Sequence, residues 1–168
     1  FRALAARANY LALDRPDLSF ATKELCRRMC APVDRDLEAL RRVAQYLKGS
    51  PRFVYAFTWQ PDAAFEVYVD TDFAGCGPTR RSTSGGVVLL NGSNVKAWSK
   101  TQTTLALSSG EAELHGINAG IQQGLGLQSI AKDLGFHLHV RVHTDATAAL
   151  GMCRRRGLGK VRHLDVAD

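Results

Sequence analysis

Apolar positions follow two regimes along the chain. Up to about residue 50 they recur at helical spacing. RPDLSFATKELCRRMC (15–30) predicts a helix entered through Pro16, with Asp17 placed as its N-terminal cap. Ala31-Pro32 closes that helix, because the residue before a proline avoids the α region. A second helix from near Asp34 sets Leu37, Leu40, Val43 or Ala44, and Leu47 on one stripe, and Gly49 stops it. Residues 1–13 read as helical too, and Gly49-Ser50-Pro51 marks a boundary. Beyond it the period shortens to two. FEVYVD (65–70) alternates, GGVVLLN (85–91) runs into an Asn91-Gly92 turn, and VKAWS (95–99) returns as the hairpin partner. Leu114, Ile117, Ile121, Leu125 and Leu134 restore helical spacing up to a stop at Leu134-Gly135. Glycines 116, 120, 124 and 126 each cost about 1 kcal/mol inside a helix, so packing must hold this one. HLHVRVHTD (137–145) alternates as a strand, and ATAALGMCRRR follows as a short helix. Helices followed by β-β-β-α-β-α describe an α/β domain with a mixed sheet.

With 168 residues, 45% of them hydrophobic and 23% charged, the chain has the length and composition of one folded domain with a helical annex, which argues against disorder. No apolar run approaches the roughly 18 residues of a membrane span, and the opening FRALAARANYLAL lacks the order of a secretory signal. A first residue other than Met and a last residue in mid-pattern read as a piece of something longer. Net charge is +6, distributed as +4 over residues 1–64, −1 over 65–150 and +3 over 151–168. Basic flanks around a slightly acidic centre suit a polyanion held over carboxylates; solvated helix faces give the same pattern. Cys26, Cys30, Cys76 and Cys153 form no CxxC pair and have no His at metal-ligand spacing, so reduced thiols inside a cell are expected.

Three acids fall where strand ends meet loops or helices: Asp70, Glu113 and Asp145. Carboxylates gathered there repel one another unless divalent cations lie between them, and hard oxygen ligands suit Mg²⁺ or Mn²⁺. Two such ions can drive phosphodiester hydrolysis. The bland alternative is that acids at strand ends merely form turns. Ser108-x-x-Glu111 fits a capping box, which gives Glu111 a structural task and leaves Glu113 free. Asp72 is expected to begin the loop. His137, His139 and His143 share a strand face and are expected to be exposed, while Trp98 and the phenylalanines are expected in the core.

VYVDTDFAG (67–75), RRSTSGG (80–86), VKAWSKTQ (95–102), SSGEAEL (108–114) and VHTDATAAL (142–150) resemble the ribonuclease H domain of Copia-type LTR retrotransposon Pol polyproteins. NYLALDRPDLSFA (9–21) and ALRRVAQYLKGSP (39–51) resemble the end of the reverse transcriptase, and RHLDVAD (162–168) a Lys-His-Ile-Asp segment with Arg162 in place of Lys. The resemblance implies an α/β ribonuclease H-like mixed sheet with flanking helices over residues 53–168, C-terminally incomplete. A small helical thumb or connection segment of the reverse transcriptase would precede it over residues 1–52. Also implied are catalytic, metal-binding Asp70, Glu113 and Asp145, two Mg²⁺ or Mn²⁺ ions, and cleavage of the RNA strand of RNA/DNA hybrids during reverse transcription. Arg80, Arg81, Ser82, Lys100, Gln102, Arg162 and His163 become nucleic-acid contacts. The partners are the hybrid and the rest of the polyprotein, with no membrane, in a cytoplasmic virus-like particle or the nucleus.

Two departures stand out. The family follows its third Asp with Asn, where this chain has Ala146, and its fifth strand and fourth acid come after the point where this chain stops; Asp165 is not assigned as that acid. The rival reading is therefore an inactive, truncated nucleic-acid-binding remnant. A small-substrate phosphohydrolase is disfavoured by the lack of a phosphate-cradling G-x-x-x-x-G-K loop.

Overall fold

Four strands form one sheet in the order β3-β2-β1-β4 in the computed structural model, which describes residues 1–57 and 63–154. β1 (Ala64–Asp72) is central, antiparallel to β2 (Thr83–Leu90) and parallel to β4 (His139–His143), so the sheet is mixed and the architecture α/β. β2 turns through Asn91 (φ 52°) and Gly92 (φ 76°) into β3 (Ser93–Thr101). Two successive positive φ values define the turn whose twist matches the paired strands.

β1 alternates strictly: Phe65, Val67, Val69 and Thr71 are buried, whereas Tyr68, Asp70 and Asp72 are exposed. The buried set meets α4 (Ser109–Asp133), which crosses the sheet on a stripe of glycines. A methyl group on Gly116 would collide with Thr71 Oγ1, one on Gly120 with Val69 Cγ1, and one on Gly124 would stand 2.6 Å from Val140 Cγ1. Of the apolar residues at helical spacing, Ile117 is buried, but Ile121, Leu125 and Leu134 are exposed. Close approach to the sheet selects the residues with the least side chain, and the bulky ones rotate outward. Gly126 has open space around it.

The first fifty residues form α1 (Arg2–Leu11), a 3₁₀ turn (Pro16–Leu18), α2 (Ser19–Cys26) and α3 (Asp34–Gly49). They enclose their own core of Ala5, Leu18, Leu25 and Val43, separate from the sheet core around Val67, Val69 and Val88. The helix expected over 15–30 is thus shorter, and Asp17 does not cap it. Its carboxylate is held instead by buried Arg15, through Nε at 3.0 Å and Nη2 at 2.8 Å, and by the Tyr46 hydroxyl at 2.7 Å. A buried guanidinium requires such a partner. α3 is entered with Asp36 Oδ2 accepting the Val33 N–H at 2.9 Å. Of its expected stripe, Val43 is buried, Leu40 and Leu47 are partly buried, and Leu37 is exposed.

The helical portion lies along the edge strand β3. Lys23 Nζ donates to Thr83 Oγ1 at 3.2 Å, Arg27 Nη2 reaches Cys76 Sγ at 2.6 Å, and Ser93 Oγ donates to the Ala56 carbonyl at 3.0 Å. The four cysteines are free, and no helix among the described residues is long and apolar enough to cross a membrane. The strand expected over 137–145 is shorter, His139–His143, with His139 and His143 exposed. Gly120→Ala is expected to destabilise the fold by about 1–3 kcal/mol despite alanine's better helix propensity, since Val69 cannot yield without disturbing the core. Gly126→Ala, in open space, should stabilise it by about 0.5–1 kcal/mol. Urea unfolding of both variants checks the pair, and equal signs would refute the packing account.

Candidate active site

Glu113 stands one turn before Gly116 on α4, and Gly116 rests on Thr71, the neighbour of Asp70. Asp145 follows β4 by two residues, and β4 runs parallel to β1, so both strands deliver their acids to the same sheet end. α5 (Thr147–Cys153) packs Ala148 and Met152 against Gly110 at the start of α4. Asp70 and Asp145 are exposed, and Glu113 is half-buried.

Glu113 feels the other two carboxylates. Burial, then the charge of Asp70, then that of Asp145 push the Glu113 carboxyl above its ordinary range, against a hydrogen bond from the Thr71 backbone N–H. Glu113 Oε2 is buried with no hydrogen-bond partner. Unpartnered acceptor oxygen among converging negative charge is the donor chemistry a hard divalent cation needs. In this arrangement no three His, Cys, Asp or Glu side chains among the described residues stand close enough together to hold a metal ion.

Beneath Glu113 runs a polar frame the sequence did not disclose. Gln102 Nε2 donates to Ser84 Oγ and to the Ala112 carbonyl, both at 2.8 Å, and Thr71 Oγ1 lies 3.4 Å from Ser84 Oγ. These bonds tie β1, β2, the end of β3 and the first turn of α4 together. The frame changes the reading of two expected contacts. Gln102 is buried, as is Ser82, whose Oγ accepts the Ala74 N–H at 3.1 Å and whose carbonyl accepts the Gln102 N–H at 2.8 Å. Neither offers a surface to nucleic acid. Arg80, Arg81 and Lys100 are exposed. Arg162, His163 and Asp165 lie outside the described residues.

Neighbouring groups resolve in part. Ser108 Oγ accepts the Glu111 N–H at 3.2 Å, as a capping box requires, while Glu111 Oε2 takes the Leu107 N–H at 2.8 Å. Asp72 is the last residue of β1, paired with Thr83, rather than the start of the loop. Ala146 precedes α5 without a side-chain cap, its N–H bonded to Thr144 Oγ1 at 3.2 Å. His143 and Arg141 both bind Glu66, and the Tyr68 ring stacks on His143. Trp98 packs on the sheet core, as expected, and Phe65 is buried, but Phe20, Phe53, Phe57, Phe73 and Phe136 are exposed.

The chain is 39% identical over 114 residues to an uncharacterized mitochondrial protein of Arabidopsis thaliana, covering 67% of this chain and 47% of that one. It is 30% identical over 138 residues to the Retrovirus-related Pol polyprotein from transposon RE1 of the same plant, covering 82% of this chain and 9% of that one. A third relative, Secreted RxLR effector protein 161 of Plasmopara viticola, is 36% identical over 125 residues, covering 74% and 88% respectively. The chain therefore spans less than half of the first relative and under a tenth of the polyprotein. No family model and no solved structure matches it.

Because the folded state holds the Glu113 proton more tightly than the unfolded chain does, the ionised carboxylate subtracts from stability at neutral pH. That deficit is recovered as pH falls through the raised folded value toward the ordinary 4.5. Glu113→Gln is accordingly expected to raise the melting temperature by a few degrees at pH 7, with the gap closing toward pH 4.5. Thermal melts over that range would contradict the account if the gap widened on acidification.

Proposed function

The chain belongs to the Copia-type family of retrovirus-related Pol polyproteins, and on that footing we propose that it carries a ribonuclease H-like activity of such a polyprotein. The substrate is the RNA strand of an RNA/DNA hybrid, cut during reverse transcription. The observation that carries this reading is the placement of Asp70, Glu113 and Asp145 at one end of a mixed sheet, with a buried Glu113 oxygen left unpartnered. Those three side chains would hold two divalent cations, Mg²⁺ or Mn²⁺. Bound there, the cations supply Lewis-acid polarisation of the scissile phosphodiester.

The chain's own residues orient and grip. The Thr71–Ser84–Gln102 frame fixes the start of α4 and so holds Glu113 over the end of β1. Exposed Arg80, Arg81 and Lys100 are suited to backbone phosphates, and Arg162 and His163 take the same role from the resemblance. A hybrid presents a wide, shallow minor groove whose 2′-hydroxyls mark the RNA strand, which gives such contacts a means of choosing it. The rest of the polyprotein is the partner.

A second reading, a nucleic-acid-binding remnant without turnover, draws on one observation: the acids do not close into a metal-holding set among the described residues. One experiment separates the two. A labelled RNA/DNA hybrid is incubated with the chain and Mg²⁺ or Mn²⁺, with EDTA as control and Asp70→Asn for comparison. Metal-dependent cutting of the RNA strand that falls to background in Asp70→Asn is the expected result. Hybrid binding without any cutting by the unaltered chain would establish the remnant instead.

A further inference from the structure

A groove of about 980 Å³ runs between the helical portion and strand β3, away from the carboxylates. We propose that it binds single-stranded nucleic acid. Its size is at the upper end of what ligand sites occupy. Lys23, Arg27 and Lys96 face it, and Asp14 is the only acid among its described lining residues, so the groove favours a polyanion. Lys23 and Arg27 share Glu24 as an ionic partner, but Lys96 makes no ion pair among the described residues.

A further feature says what kind of polyanion. Tyr55 and Phe57 line the groove with rings stacked at 6.1 Å and an interplanar angle of 22°. The Tyr55 hydroxyl donates to the Asp14 carbonyl at 3.3 Å, which steadies the inner ring, while Phe57 is 70% exposed. A nearly parallel pair with a bare outer ring is a platform for a flat group, and bases in a single strand offer such faces where paired bases do not. Cations and a ring platform in one groove are the elements of sequence-tolerant strand binding.

The groove also leads somewhere. Arg27 lines a smaller cleft as well, with Asp72 and Thr83, at the strand end that carries Asp70. A strand leaving the groove past Arg27 would reach the carboxylate end of the sheet. That continuation rests on the hydrolytic reading; the groove itself does not.

Fluorescence anisotropy with a labelled mixed-sequence DNA or RNA strand of about 12 nucleotides at low salt tests the proposal. Phe57→Ala is expected to weaken binding about tenfold, the loss of one stacked base. Lys96→Ala should weaken it and lower the salt slope by about one. Both side chains are exposed, and unchanged far-ultraviolet circular dichroism confirms that the variants fold. Asp70→Asn should bind like the unaltered chain even where hybrid cutting is lost, so failure of the groove and failure of the nuclease are told apart. No strand binding at low salt, unaltered affinity in both groove variants, or equal competition by a duplex of the same length would each overturn the proposal.

Discussion

Everything near the carboxylates depends on how closely α4 approaches β1. Glycines at 116, 120 and 124 let the helix backbone settle onto Thr71, Val69, Val67 and Val140. Any larger side chain at these positions would lift the helix and carry Glu113 with it. Because Gly116 sits on the residue next to Asp70, helical geometry places the Glu113 carboxylate one turn away, at the end of the same strand. The unfavourable propensity of these glycines and the raised protonation of Glu113 thus share one cause. The approach that buries the helix also brings Glu113 up to two other charges.

Much of this was legible in the pattern of residues. Strict alternation in FEVYVD announces β1, and Asn91-Gly92 announces the hairpin, because both are local signals read from neighbouring positions. That Asp70 and Asp145 stand near the same end of two strands was legible too, because each follows an alternating run. What escaped was contact between residues distant in sequence. Apolar spacing in α4 marked a helix without marking its buried face, because a hydrophobic pattern cannot tell that the sheet would come too near for leucine. Asp17 looked like a cap because Tyr46, which with neighbouring Arg15 holds its carboxylate, lies 29 positions away and outside the local window. Ser82 and Gln102 looked like surface groups because polar side chains usually are; their burial follows from the frame under α4.

The helical portion and the sheet keep separate apolar cores, yet they meet through a few directed bonds, Lys23 to Thr83 of β2 and Arg27 to Cys76 in the loop after β1. At the Arg27 junction, the Thr79 hydroxyl and the guanidinium lower the Cys76 thiol to about 7. Thiolate formation near neutral pH strengthens the bond to Arg27, so the junction is firmest where the thiol is ionised.

Strand order also dictates a history. The β2–β3 hairpin closes through two residues, whereas β1 finds β4 only across a long stretch, with Glu66 and Arg141 standing 75 positions apart. Contacts of such separation form late, because loop-closure entropy must be met before they contribute. On a ribosome the antiparallel meander and α4 emerge before β4 is made. Asp70 and Glu113 lie on elements made before β4, so Asp145 can complete the set of acids only once the parallel strand docks.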